Sequence, residues 1–111
     1  MIHPVDLRLD RAHDRTVAKL TGEIDLSNAA TVRRAILESI PNRDVGLVVD
    51  LTRVRYLDSA GIAMLFGLAR RLAEHNQRLT MVVPSDSLVR RTLQVSGWPP
   101  DVLVLEELDQ G

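Results

Sequence analysis

Two spacings of apolar positions alternate along this chain, one of two residues and one of three to four. Val5-Asp6-Leu7-Arg8-Leu9 alternates apolar with charged side chains and predicts an edge strand. Arg11-Ala12-His13-Asp14-Arg15 reads as a polar turn, and Thr16-Val17-Ala18-Lys19-Leu20-Thr21 as the returning strand of a hairpin, which Gly22 ends. A helix follows. Ala29, Val32, Ile36 and Ile40 share one of its faces, Asp25 or Ser27 offers a capping oxygen, and Pro41 stops it. Residues 45–51 are nearly all apolar, as expected of a parallel strand buried on both faces.

The second helix starts at Asp58 or Ser59, with Ile62, Leu65, Phe66, Ala69, Leu72 and Ala73 as the stripe expected to face the core. Arg70, Arg71 and His75 complement the dipole at its far end. Leu79-Thr80-Met81-Val82-Val83 is another strand. Pro84-Ser85-Asp86-Ser87 opens a third helix carrying Leu88, Val89, Leu93 and Val95, with Gly97 as its cap. Val102-Leu103-Val104-Leu105 is a last strand before an acidic tail over 106–111, which is expected to fray. The order β-β-α-β-α-β-α-β, with helices as crossovers, predicts an α/β fold. Its mixed sheet should be parallel apart from the first strand.

Composition then removes whole classes of function. The chain has 111 residues, 45% hydrophobic and 26% charged, which suits one domain over 1–111 with a core at about 5–105. A formal net charge of −1 supplies no field to draw it to nucleic acid or an anionic membrane, and 3% aromatic residues argue against base-stacking platforms. Cysteine is absent, so disulfides, thiolate zinc sites and thiol catalysis are excluded. The first residues show no basic region followed by an apolar stretch, and the longest nearly apolar run, 61–69, is far short of a bilayer span. These features predict a cytoplasmic protein with no membrane insertion.

The candidate chemistry centres on Ser59, which follows a strand and opens a helix. A hydrolytic serine there would want Gly-x-Ser-x-Gly and a histidine base, but position 57 is leucine. Of the histidines, His3 and His13 belong to the N-terminal end and a turn, and His75 lies about 24 Å along the same helix. No phosphate-cradling glycine motif and no cluster with metal spacing occurs; Glu23 and Asp25 read as loop and capping residues. Asp50 ends a Val-Val strand as a phospho-accepting aspartate would, but the only lysine, Lys19, lies inside the second strand. The arginine pairs 33/34, 70/71 and 90/91 read as solvated helix faces, and Trp98 as a packing anchor. No catalytic residue, metal or cofactor is expected.

What remains is a binding surface. Asp58 can cap the helix alone, which leaves the Ser59 hydroxyl free at the positive end of the dipole. Away from the apolar stripe, Ala60, Ala63, Met64 and Gly67 carry no charge, so a smooth strip beside the serine is expected as a docking surface.

Asp58-Ser59-Ala60-Gly61 after a Leu-Val-Val-Asp-Leu strand resembles the phosphorylatable segment of STAS-domain proteins, the anti-sigma factor antagonists. Gly22-Glu23-Ile24-Asp25 is similar to that family's loop before its first helix, and Leu93-Gln94-Val95-Ser96-Gly97-Trp98 to its penultimate helix and turn. The resemblance spans roughly residues 7–105 and implies a switch. Such a protein binds an anti-sigma factor that is also a serine kinase, is released when the kinase phosphorylates Ser59, and is reset by a serine phosphatase. It further implies that Glu23, Asp25 and Ser27 border the docking site, that Asp58 holds Ser59 outward, and that Gly61 lets the partner's backbone approach. Two other readings accompany this one: a non-switching STAS subunit of an ABC-type lipid-transport complex, and a serine-dependent enzyme.

Overall fold

The computed structural model describes residues 5–108. Strand β1 (Asp6–Ala12) and strand β2 (Arg15–Ile24) pair antiparallel across a two-residue turn in which His13 takes φ 59°. Helix α1 (Ala29–Ser39) returns the chain so that β3 (Gly46–Leu57) lies parallel to β2. Helix α2 (Ser59–Glu74), strand β4 (Arg78–Val82), helix α3 (Leu88–Ser96) and the short strand β5 (Leu103–Leu105) follow. The sheet runs β1-β2-β3-β4-β5 and is parallel from β2 onward, as the element order predicts.

Two strands are longer than their apolar runs. Gly22 does not end β2: it takes φ 113°, a conformation glycine enters without a Cβ clash, and pairing resumes after a register shift. Strand β3 continues past Leu51 because Val54 and Leu57 point inward while Thr52, Arg53, Arg55 and Tyr56 point out. The extension brings Ile24 opposite Leu57, so both strands end side by side.

All three helices contribute to one core. Ala18, Leu20, Leu47, Val49, Leu51, Leu79 and Met81 of the sheet pack with Val32 and Ile36 of α1, Leu65, Leu68 and Leu72 of α2, and Val89 and Leu93 of α3. The opposite face carries a smaller cluster, Val17, Val48 and Val82, on which Leu105 and Leu108 rest. That cluster is why Leu47, Val48 and Val49 are all buried. The expected acidic tail does not fray at its start, since Leu108 is packed; residues 109–111, like His3, lie outside the described residues.

The buried face of α2 differs from the expected stripe. It comprises Gly61, Met64, Leu65, Leu68, Ala69 and Leu72, whereas Ile62 and Phe66 are half-buried and Ala73 is exposed. The helix turns this way because it packs against α1 as well as the sheet. On α3 only Val89 and Leu93 are buried; Leu88 and Val95 face outward. Arg90, expected on a solvated face, instead donates from Nε to the Val83 and Pro84 carbonyls and lies 5.6 Å over the Trp98 ring. Trp98 itself packs on the core. A charged pin closes the hairpin end of the sheet. The Arg11 guanidinium donates to both oxygens of Asp44 at 3.1 and 2.7 Å, and the Thr16 hydroxyl adds a bond at 2.8 Å.

Candidate functional site

The parallel pairing of Ile24 with Leu57 sets two chain exits next to each other, and one carboxylate ties them together. The Asp58 N–H donates to the Ile24 carbonyl at 3.2 Å. Its Oδ1 accepts from the N–H groups of Ala60 (2.8 Å) and Gly61 (3.0 Å), which caps α2. Its Oδ2 accepts from the Leu26 N–H at 3.1 Å, which holds the loop before α1. Aspartate suits the two capping bonds because its extended backbone at ψ −171° leaves the side chain facing the orphan amides of the first turn, and its second oxygen stays available for Leu26.

Ser59 is therefore the first helical residue and not the cap. It is exposed, and among the described residues its hydroxyl has no hydrogen-bond partner. The dipole makes this position favourable for an anion. Among the described residues no histidine stands beside it: His75 caps the opposite end of α2 and His13 sits in the β1–β2 turn.

The loop between β2 and α1 is braced from within. Asp25 Oδ1 accepts from the N–H and hydroxyl of Ser27, and the Asp25 carbonyl accepts from the N–H groups of Asn28 and Ala29. Asn28 occupies the N-cap of α1 without a side-chain capping bond. Its amide instead donates to the Glu23 carbonyl at 2.9 Å, while its oxygen accepts from the Asp25 N–H at 3.0 Å. Thus neither Asp25 nor Ser27 is the cap expected from sequence; both shape the turn. The bracing projects Leu26, which is 83% exposed, beside the Asp58 carboxylate that carries Ser59. Leu26 and Asn28 escaped the sequence reading. The available signal was an apolar residue stranded between turn-forming Asp25 and Ser27, with no periodicity to bury it.

Of the expected docking residues, Glu23, Asp25, Ser27, Asp58 and Ser59 are brought to this corner, and Ala63 lies one turn on, exposed. Ala60 is half-buried against the core. Two others are buried, and a third, Gly67, is half-buried. Met64 is a core residue at 4% exposure. Gly61 is buried, and a Cβ there would lie 2.8 Å from the Ile24 carbonyl oxygen, so its smallness serves packing inside the chain and not a partner's approach. Gly67 is covered by Arg33 of α1, whose Nε is 3.2 Å from the place of a Cβ. The smooth strip shrinks to the 59–63 edge because Met64 and Gly61 are buried in the fold and Arg33 of α1 lies over Gly67.

A family model described as "Mlab, STAS domain" matches residues 7–105. The chain belongs to the STAS-domain family. This STAS domain is 32% identical over 81 residues to the anti-sigma-F factor antagonist RsfB of Mycobacterium tuberculosis, covering 73% of this chain and 65% of that protein. It is 31% identical over 100 residues to an anti-sigma-B factor antagonist of Listeria monocytogenes, covering 90% and 86%. The crystal structure of an anti-sigma factor antagonist from Mycobacterium paratuberculosis superimposes with a TM-score of 0.82 at 23% identity, over 96% of this chain and 89% of that one. Among the described residues, no group of acids or histidines could hold a metal ion, and no helix is long and apolar enough to cross a membrane.

Proposed function

We propose that this STAS-domain protein is an anti-sigma factor antagonist, a binding module that docks an anti-sigma factor through the corner formed by Glu23 at the end of β2, the 25–28 loop and the start of α2. The docked partner is also a serine kinase, and phosphorylation of Ser59 releases it. A serine phosphatase restores binding. The reading rests on one observation: Asp58 does the capping, and the Ser59 hydroxyl is left exposed and, among the described residues, unpartnered. The names of the two relatives support the antagonist role.

In the transfer, Ser59 Oγ takes the γ-phosphoryl group of ATP, and the hydroxyl proton and ADP leave. The product carries about −1.5 to −2 charges, and the helix dipole stabilises it by ~0.3–2 kcal/mol, so the modified fold persists. Docked, the same group is a dianion beside Asp58 and Asp25 in a desolvated contact. A loss of roughly 3–4 kcal/mol weakens binding by two to three decades.

The test is a titration of the anti-sigma factor with Ser59→Ala and Ser59→Asp, alongside intact mass after incubation with that factor and ATP. Retained binding for Ser59→Ala, lost binding for Ser59→Asp and one added phosphate are expected; equal affinities would overturn the switch. The family model's description favours one second reading, a STAS subunit of an ABC-type lipid-transport complex. That reading expects capture of an ATP-binding transporter subunit, equal for both variants, and no gain in mass.

A further inference from the structure

Strand β1 forms one edge of the sheet, and no strand among the described residues pairs with its outer side. The hairpin fixes which backbone groups point that way. A two-residue turn closes on a hydrogen-bonded pair, here Ala12 and Arg15, and such pairs alternate with non-bonded ones along an antiparallel ladder. Asp6, Arg8, Asp10 and Ala12 therefore spend their N–H and C=O groups on β2, and Leu7, Leu9 and Arg11 present theirs outward. Another strand can add only in a register that meets these three positions.

Side chains on this edge make it self-complementary. Arg8 stands directly opposite Lys19 of β2, a like-charge pair, and among the described residues it has no ion-pair partner. Asp10, one pleat along on the same face, lies 3.5 Å from Lys19. Between them, on the other face, Leu9 is 46% exposed. If two copies pair antiparallel about Arg8, arginine meets arginine and Asp6 meets Asp10. About Asp10, acid meets acid. About Leu7, the strands overlap only over 6–8. About Leu9, each Arg8 meets Asp10 of the other copy, Leu9 meets Leu9, and the whole of β1 is used. Opposite charges placed across a strand pair stabilise it, and like charges do the reverse.

We propose that β1 is a self-association edge, at which a second copy of this chain pairs antiparallel about Leu9 and joins the two sheets into one. The contact supplies Arg8 with an acidic partner, which it lacks among the described residues, and puts an apolar pair at the centre. It uses the opposite side of β2 from β3, and none of the residues around Ser59, so it is independent of the antagonist reading. A single short strand buries little area, so the dimer is weak and concentration-dependent.

Sedimentation equilibrium of the full chain up to about 1 mM tests this, with Arg8→Asp, Asp10→Arg and their equimolar mixture. Each variant alone sets like charges opposite each other twice in the pairing, and its dimer dissociation constant is expected to rise about tenfold or more. The mixture brings two acids of one copy against two basic side chains of the other, and recovers association. Circular dichroism establishes that both variants fold. A wild-type chain that stays monomeric throughout would overturn the proposal, as would a mixture that associates no better than its components.

Discussion

Replacing Asp58 with alanine isolates the group on which the candidate site is built. Three N–H donors lose their acceptor: Ala60 and Gly61 in the first turn of α2, and Leu26 in the neighbouring loop. Loss of a capping side chain costs about 0.5–2 kcal/mol, and the loop bond, which is solvent-exposed, adds about 0.5–1.5 kcal/mol. A total near 2 kcal/mol lowers the melting temperature of a domain this size by about 10 °C. Asp58→Asn separates the two contributions. Its one carbonyl oxygen can still cap α2, but its amide then faces the Leu26 N–H, donor against donor. Thermal melts should place Asp58→Asn between wild type and Asp58→Ala. Amide exchange should quicken at Leu26 in both variants, and at Ala60 and Gly61 only in Asp58→Ala. An alanine variant that melts within about 2 °C of wild type would refute the assignment of these bonds to stability, given the usual worth of a cap. Quickened exchange at Ala60 in the asparagine variant would refute the division between the two oxygens.

Gly61→Ala adds a methyl group 2.8 Å from the Ile24 carbonyl oxygen and 3.0 Å from Leu57 Cδ2. Urea denaturation should show a loss of about 1–3 kcal/mol despite the better helix propensity of alanine. Met64→Ala should cost about 2–5 kcal/mol as a core truncation, whereas Ala63→Asp should leave stability within about 0.5 kcal/mol and, on the proposed function, weaken anti-sigma factor binding. Asp44 is held below the ordinary aspartate range chiefly by the Arg11 hydrogen bond, with burial opposing it and Thr16 assisting. With its folded value depressed, the stability it contributes is present above an unfolded value of about 4 and is lost as pH falls through the folded value. Asp44→Asn should therefore be less stable at neutral pH and show a shallower loss below about pH 4, and parallel stability curves would contradict this.

Local chemistry alone was enough for the element order, the sheet polarity and the position of Ser59. Alternation in 5–9, the apolar run 45–51 and the small-residue start at 58–61 point to an edge strand, a buried parallel strand and a capped helix, and the fold has all three. Periodicity could not say which side of α2 would be covered, because Met64 and Leu68 are as apolar as Ile62 and Phe66. Docking against both the sheet and α1 decided it, burying Met64 and Gly61 and placing Arg33 over Gly67. Nor could it reveal the pin between Arg11 and Asp44, whose partners are 33 residues apart, or the reach of Asp58 to Leu26 across 32. Such contacts depend on where the strands end in space. Only once Ile24 and Leu57 pair do the two loops meet and leave Leu26 and Ser59 on one exposed corner.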